Sequence, residues 1–318
     1  MKFSERFFDM SSFDRRNFCK SSIAIAGLGI TSNFFMSSLS QARTLDLGTA
    51  KLDSFSDGVM RLPIEMLFEK VPTDERDQLL SQMGSSVDVI SRPVNVNLLS
   101  TGSRKILFDA GSGKNFLSSL GQLSAVLEEA SVNLAEITDV VFTHAHPDHI
   151  WGIIDEFDDL LMPDASYHIS EAEWAFWDSK DAISAMPAGR ENFAVGAKSR
   201  FDLLRDRINL FSGGAEIIPS IEAIDTSGHT PGHMAFAIHD NGQSVLIAGD
   251  ALTHPIISFK HPEWQNSSDM DAENAVKTRF RLLDRLTQDN FVLAATHLPA
   301  PGYGRVEKDG ATWRFIGM

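Results

Sequence analysis

The sequence predicts a mixed domain of strands and helices, of α/β or α+β class, and three observations carry the prediction. Apolar runs of strand length recur along the chain, two stretches place apolar residues three and four apart, and the two kinds interleave rather than segregate. Val94 to Ser100 and Lys105 to Phe108 are extended runs flanking Thr101-Gly102-Ser103, which reads as a β-hairpin. Asp109-Ala110-Gly111-Ser112-Gly113 then ends the second strand in a tight loop. From Asn115 to Ala130, the residues Phe116, Leu117, Leu120, Leu123, Val126 and Leu127 share one face, so an amphipathic helix is expected there. Val140-Val141-Phe142 reads as a short buried strand, as do Ser244 to Ala248 and Phe291 to Ala295. A second helix is expected from about Glu273 to Leu286, with Val276, Phe280, Leu283 and Leu286 along its stripe. Residues 151 to 212 differ in character: Trp151, Phe157, Trp174, Phe176, Trp177, Phe193 and Phe201 fall among short helical signals. Such aromatics are read first as a satellite core and second as a binding wall, because the stretch comes directly after the main motif.

Composition narrows the function. A chain of 318 residues, 43% hydrophobic and 22% charged, has the makings of a buried core and is neither disordered, fibrous nor a multi-span membrane protein. Its net charge of −15 repels polyphosphate, so no nucleic acid is expected as a partner. The single cysteine, Cys19, allows neither a disulfide framework within the chain nor a Cys-based zinc site, so any metal must be held by His and carboxylate.

Residues 1–42 read as an export signal and 43–318 as the working domain. Asp14-Arg15-Arg16-Asn17-Phe18-Cys19-Lys20 precedes a mostly apolar stretch from Ile23 to Met36 and the small residues of Ser40-Gln41-Ala42. The paired arginines resemble a bacterial twin-arginine signal, which implies a periplasmic protein with no stable membrane insertion after cleavage. The apolar stretch is shorter than the roughly 20 residues a membrane span needs.

The chemistry is concentrated in His144-Ala145-His146-Pro147-Asp148-His149, immediately after the strand at 140–142. Residues two apart on an extended backbone share a face, so His144 and His146 can grip one ion together. Pro147 forces a bend that aims Asp148 and His149 towards a second. The remaining ligands must come from farther along, since one ion needs three or four. His229 in Ser227-Gly228-His229-Thr230-Pro231-Gly232-His233, Asp250 after Ile247-Ala248-Gly249, and His297 after Ala294-Ala295-Thr296 each stand where a strand or turn emerges. For His168, His239, His254 and His261 a surface or hydrogen-bonded role is the simpler reading.

These residues resemble the metallo-β-lactamase superfamily, and the resemblance extends from about Asn95 to Gly304. It implies an α+β fold, the four-layer αβ/βα sandwich, with a dinuclear metal site. Position by position it puts His144, His146 and His229 on one divalent ion, Asp148, His149 and His297 on the other, and Asp250 between them, with catalytic roles for Asp148 and Asp250. His233 is left a supporting role, and Asp109 is expected to orient a ligand histidine. Within the superfamily, His297-Leu298-Pro299-Ala300-Pro301-Gly302-Tyr303-Gly304, the stretch from Asp250 through His254 to Phe259, and Ser268-Asp269 look like the methyl parathion hydrolase and lactonase-like group. Relatives there carry an aromatic at Ala300 and a His at Arg305. Acyl homoserine lactonases carry a Tyr at Thr253, so a phenol at the site would have to come from Tyr167 or Tyr303, the two tyrosines of the chain.

A ligand set of this kind implies hydrolysis with two divalent metal ions, zinc first among them. The substrate expected from the acidic exterior and the aromatic stretch is a small, uncharged, partly apolar ester, with a lactone first and a phosphotriester second. A mononuclear-iron sulfur or redox enzyme on the same fold is the alternative of a different class. A homodimer is expected only because relatives form dimers.

Overall fold

The computed structural model describes residues 43–82 and 89–318. The export signal read at 1–42, with its cleavage site and Cys19, lies outside the described residues. Strands β1 (Arg43–Asp46), β2 (Ala50–Pro63), β3 (Val89–Thr101), β4 (Arg104–Phe108), β5 (Asp139–Val141), β6 (Ser166–Ser170) and β7 (Ile208–Phe211) form one seven-stranded sheet in chain order. Strands β8 (Glu216–Ile218), β9 (Ile221–Asp225), β10 (Met234–Asp240), β11 (Gln243–Ile247), β12 (Val292–Ala294), β13 (Tyr303–Asp309) and β14 (Thr312–Gly317) form the second, again in chain order. Pairing is antiparallel from β1 to β4 and parallel from β4 to β7; in the second sheet only β11 and β12 run parallel.

Alternation along the strands builds the layers. In β4, Ile106 and Phe108 face the second sheet while Leu107 faces the helices, and Val141 and Val140 of β5 divide the same way. In the second sheet Val245 and Ile247 point inward and Leu246 outward. Strands covered on both faces read as continuous apolar runs, which is why these were legible. Phe108 and Phe236 meet between the sheets with ring centroids 5.5 Å apart.

Helices α1 (Ile64–Leu67) and α2 (Thr73–Gln82) come after β2. The outer face of the first sheet is covered by α3 (Leu123–Glu129), α4 (Pro147–Ile150), α5 (Glu171–Trp177), α6 (Ala182–Ala185) and α7 (Glu191–Leu204). Phe259 of α8 (Ile257–Lys260) and the stripe Leu282, Leu283 and Leu286 of α9 (Ala272–Gln288) cover the second. The result is the expected four-layer αβ/βα sandwich. No helix among the described residues is long and apolar enough to cross a membrane.

Two expectations are corrected. The helix expected over 115–130 is realised only as α3, preceded by a 3-10 turn at Gly113–Asn115. Gly121 sits at φ +77°, where a Cβ would stand 2.2 Å from the Gly113 carbonyl oxygen, so the chain folds back there instead of coiling. Asp57 of β2 then takes the amides of Gly121 and Leu123, at 3.2 and 3.0 Å, as a cap supplied from another element. The stretch 151–212 is not only helical, since β6 and β7 lie within it. Its aromatics are mainly core: Trp177 and Phe201 are fully buried, and Trp174 stacks on Phe201 at 4.3 Å. Phe157 is 77% exposed and belongs to neither reading.

Candidate metal centre

The seven residues singled out at 144–297 meet at one edge of the sandwich. Pro147 opens α4 with His146 extended before it at φ −68°, ψ 159°, so the bend foreseen at Pro147 is the first turn of a helix. His229 comes from the β9–β10 loop, Asp250 from a 3-10 turn after β11, and His297 from the loop after β12. Gly249 permits the close approach of the Asp250 turn, because a Cβ there, at φ +50°, would stand 2.7 Å from His233 Nε2.

Ligand atoms of His144, His146 and His229 lie within 4.8 Å of one another, as do those of Asp148, His149 and His297, and those of His144, His149 and Asp250. His146 Nδ1 is 2.9 Å from His144 Nε2 and 3.0 Å from His229 Nε2. His297 Nε2 is 3.1 Å from Asp250 Oδ2 and 3.3 Å from Asp148 Oδ2. Asp148 Oδ2, His149 Nε2 and Asp250 Oδ1 are buried with no hydrogen-bond partner. Inward-facing nitrogens and carboxylate oxygens packed this closely fit a divalent cation, and each orphaned atom is a natural ligand.

The groups behind the cluster fix which nitrogen is free. His297 Nδ1 meets the Pro93 carbonyl at 2.7 Å; a carbonyl only accepts, so Nδ1 carries the proton and Nε2 presents its lone pair inward. His149 Nδ1 meets Asp109 Oδ2 at 2.8 Å and His229 Nδ1 meets Asp269 Oδ1 at 2.9 Å, with the same consequence. Thr143 Oγ1 donates to Asp109 at 2.9 Å and is therefore an acceptor for His144 Nδ1 at 3.0 Å. The orienting role expected of Asp109 is thus matched by its contacts. His233 accepts the Asp250 amide on Nε2 at 3.0 Å, which fixes the carboxylate's turn, and burial pulls His233 down to about 3.

Charge supports the same use. Burial holds His144 and His146 well below the ordinary imidazole range, so both are neutral. Burial also works against a charge on His149, but Asp148, Asp109 and Asp250 outweigh it and push that group well up; the surroundings favour positive charge there. Asp148 and Asp250 stay ionised, with burial overcome by His149 and His297.

A cavity of about 230 Å³ opens over the cluster, walled by Met60, Leu62, Phe116, Met186, Phe193 and Met270, with Arg92, Arg190, Ser268 and Asp269 among its polar groups. Tyr167 and Tyr303 are not there: their hydroxyls donate to the carbonyls of Met162 and Leu52, so the site holds no phenol. Thr253 and His254 are buried beside it in a turn closed by Ser258, and Ala300 and Arg305 lie on the surface. His168, His239 and His261 bond to Asp139, Ser244 and Glu263, away from the cluster.

Two charged groups beside the cluster, Glu173 and Arg92, escaped the sequence, and a third, Asp269, was read only within the Ser268-Asp269 resemblance. Glu173 is fully buried and accepts from Ala145 N at 2.9 Å and Trp177 Nε1 at 2.6 Å on one oxygen, and from Thr230 Oγ1 at 2.7 Å and Gly232 N at 2.9 Å on the other. One carboxylate thereby ties the His144–His149 loop to the His229 loop. Asp269 joins His229 to Arg279, and Arg92 reaches Asp250. Nothing in their local spacing separates them from ordinary charged residues.

The model of the family described as "Metallo-beta-lactamase superfamily" matches residues 90–297. Among curated proteins, the chain is 32% identical over 163 residues to the "Uncharacterized protein YobT" of Bacillus subtilis (strain 168), a match spanning 50% of this chain and 62% of that protein. It is 29% identical over 150 residues to a "Hydroxyacylglutathione hydrolase" of Fuscovulum blasticum, spanning 46% of each. The curated relatives are thus matched over about half their length. Among solved structures, the fold is similar to "AidC, a Dizinc Quorum-Quenching Lactonase", at TM-score 0.83 and 24% identity, covering 88% of this chain and 98% of that one. It is likewise similar to "hydrolase AbOPH in beta lactamase superfamily", at TM-score 0.81 and 23% identity, covering 87% and 97%.

Proposed function

Since the chain belongs to the metallo-beta-lactamase superfamily, we propose that it is a metal-dependent hydrolase of ester bonds, with lactones as its first substrate class. The observation that carries the reading is the convergence of Asp148 Oδ2, His149 Nε2 and Asp250 Oδ1, buried and without a hydrogen bond, with four further histidines at the floor of a largely apolar cavity. His144, His146 and His229 would hold one cation and Asp148, His149 and His297 a second, with Asp250 shared. Five histidines and two carboxylates suit zinc. Divalent cations, when bound, polarise an acyl oxygen and acidify water at the site.

The chain's own residues do the rest. Asp109, Asp269 and the Pro93 carbonyl hold protons on the outward ring nitrogens and so keep the inward lone pairs available. Phe116, Phe193, Met186 and Met270 shape an apolar wall that excludes water and receives the carbon skeleton of the substrate. A relative named as a hydroxyacylglutathione hydrolase and a structural neighbour named as a hydrolase support hydrolysis, and a neighbour named as a dizinc lactonase supports the lactone.

The test is metal quantification on the purified chain, then turnover of γ- and δ-lactones, acyl homoserine lactones, aryl esters and phosphotriesters. Lactone opening that His146→Ala reduces by about a hundredfold or more, beyond the loss usual for groups behind a ligand, is the expected result. Turnover of phosphotriesters alone would replace the lactone, and one iron per chain with no hydrolysis would replace the class.

A further inference from the structure

The cavity contains a buried arginine that the fold does not satisfy. Arg92 of β3 is 4% exposed, and among the described residues its one hydrogen bond runs from Nη2 to Asp250 Oδ2 at 3.3 Å, while Nε has no partner. An arginine has five N–H donors, and leaving them unpaired away from water is costly. Arg279 shows how such a residue can be satisfied. Buried Arg279 places Nε on the Pro262 carbonyl at 2.9 Å, Nη1 on Asp269 at 2.9 Å and Nη2 on the Trp264 carbonyl at 2.8 Å. Arg92 is left short of acceptors in a wall where a ligand would supply them.

A second cation shares that wall. Arg190, just before α7, meets only the Ser267 carbonyl, at 3.4 Å, and forms no ion pair among the described residues. Burial, and after it the charge of Arg92, pull Arg190 below its ordinary value, so the two guanidiniums feel each other. Of the nearby carboxylates, Asp148 and Asp250 face the histidines, Asp250 also meeting Arg92, and Asp269 is held by His229 and Arg279. The cavity wall thus carries two guanidiniums although the net charge of the chain is −15. The uncharged substrate expected from the exterior does not use this feature.

Resting on the ester-hydrolase reading, we propose that Arg92 and Arg190 form an oxyanion-binding subsite beside the histidine cluster, so that the substrate is a lactone or ester bearing an additional carboxylate or phosphate. The planar fork of a guanidinium matches both groups by paired hydrogen bonds. The apolar wall takes the carbon chain between the oxyanion and the scissile bond.

The test compares mono-4-nitrophenyl glutarate with 4-nitrophenyl butyrate on the zinc-loaded full chain, two esters that share a leaving group and differ chiefly in a terminal carboxylate. A preference for the glutarate ester of about tenfold or more in kcat/KM, carried mainly by KM, is expected. Arg190→Gln at the cavity wall and Arg92→Gln within it should bring the ratio close to one. Equal or faster cleavage of the butyrate ester by the unmodified chain, or a ratio unmoved in Arg190→Gln, overturns the subsite. Calorimetric titration with butyrate and with inorganic phosphate separates this from failure of the hydrolase reading. If neither ester is cleaved yet one anion binds about tenfold or more weakly to Arg190→Gln, the subsite stands and the ester reading falls; equal binding to both proteins removes the subsite. The tighter of the two anions identifies the oxyanion class.

Discussion

Glu173 shows what a single residue contributes when its four acceptor positions are all used. Its two oxygens receive donors from α5 and from both histidine loops, and it does so fully buried, where burial itself pushes its carboxyl up and the hydrogen bonds oppose that. In Glu173→Gln an NH2 would face donors, so one loop or the other loses its anchor without loss of volume. Zinc affinity, measured by competition with a chelator, should fall by about 10–100-fold while far-ultraviolet circular dichroism stays native; unchanged affinity would show that the loops are positioned without it. The contrast with the histidines explains what was legible. Four of the seven residues lie within six positions, so local spacing exposes them, whereas the donors to Glu173 come from three separated segments. In the sequence Glu173 is only an acidic residue in a first helical turn, capped by Ser170.

Elements were readable where both faces are covered and obscure where polar residues pair across strands. β6, Ser166–Ser170, carries little apolar signal, yet His168 Nε2 lies 3.0 Å from Asp139 Oδ1 of β5, and Arg104 of β4 reaches the other Asp139 oxygen at 2.8 Å. This triad links three parallel strands. Burial resists the charge on Asp139, but Thr138, His168 and Arg104 together hold its carboxyl below the usual value. A depressed carboxylate contributes stability above its unfolded value of about 3.9 and loses it as pH falls through the lower folded one. Asp139→Asn should therefore cost about 1–3 kcal/mol at pH 7 by urea unfolding, and the gap to the parent protein should narrow below about pH 4. A gap that is constant between pH 7 and pH 3 would mean that shape, not charge, sets the contribution. The helix misread at 115–130 belongs to the same scale, because its apolar period is real but Gly121 and the Asp57 cap act from outside that period.

At the scale of the whole molecule, the pairing of two sheets is not encoded in any periodicity; it was foreseen only through the family resemblance that the ligand spacing supports. The centre sits where the two halves join. His144, His146, Asp148 and His149 extend from the first sheet, and His229, Asp250 and His297 from the second. Protein contacts already bridge the same seam, with Asn95 of β3 donating to the carbonyls of Thr296 and Leu298 at 2.9 and 2.8 Å. A cation bound by ligands from both sheets binds the folded state and not the separated one, so it stabilises the sandwich by mass action, about 2.7 kcal/mol at a hundred times its dissociation constant. With a Tm shift of roughly 2–4 °C per kcal/mol for chains somewhat smaller than this one, stripping metal with a chelator should lower Tm by roughly 5–10 °C, and zinc should restore it. His297→Ala, which removes a proposed ligand on the second sheet, should shrink that zinc-dependent shift. A chelated protein that melts where the loaded one does would mean the two sheets are held together by their cores alone, and that the cluster does not join them through a bound ion.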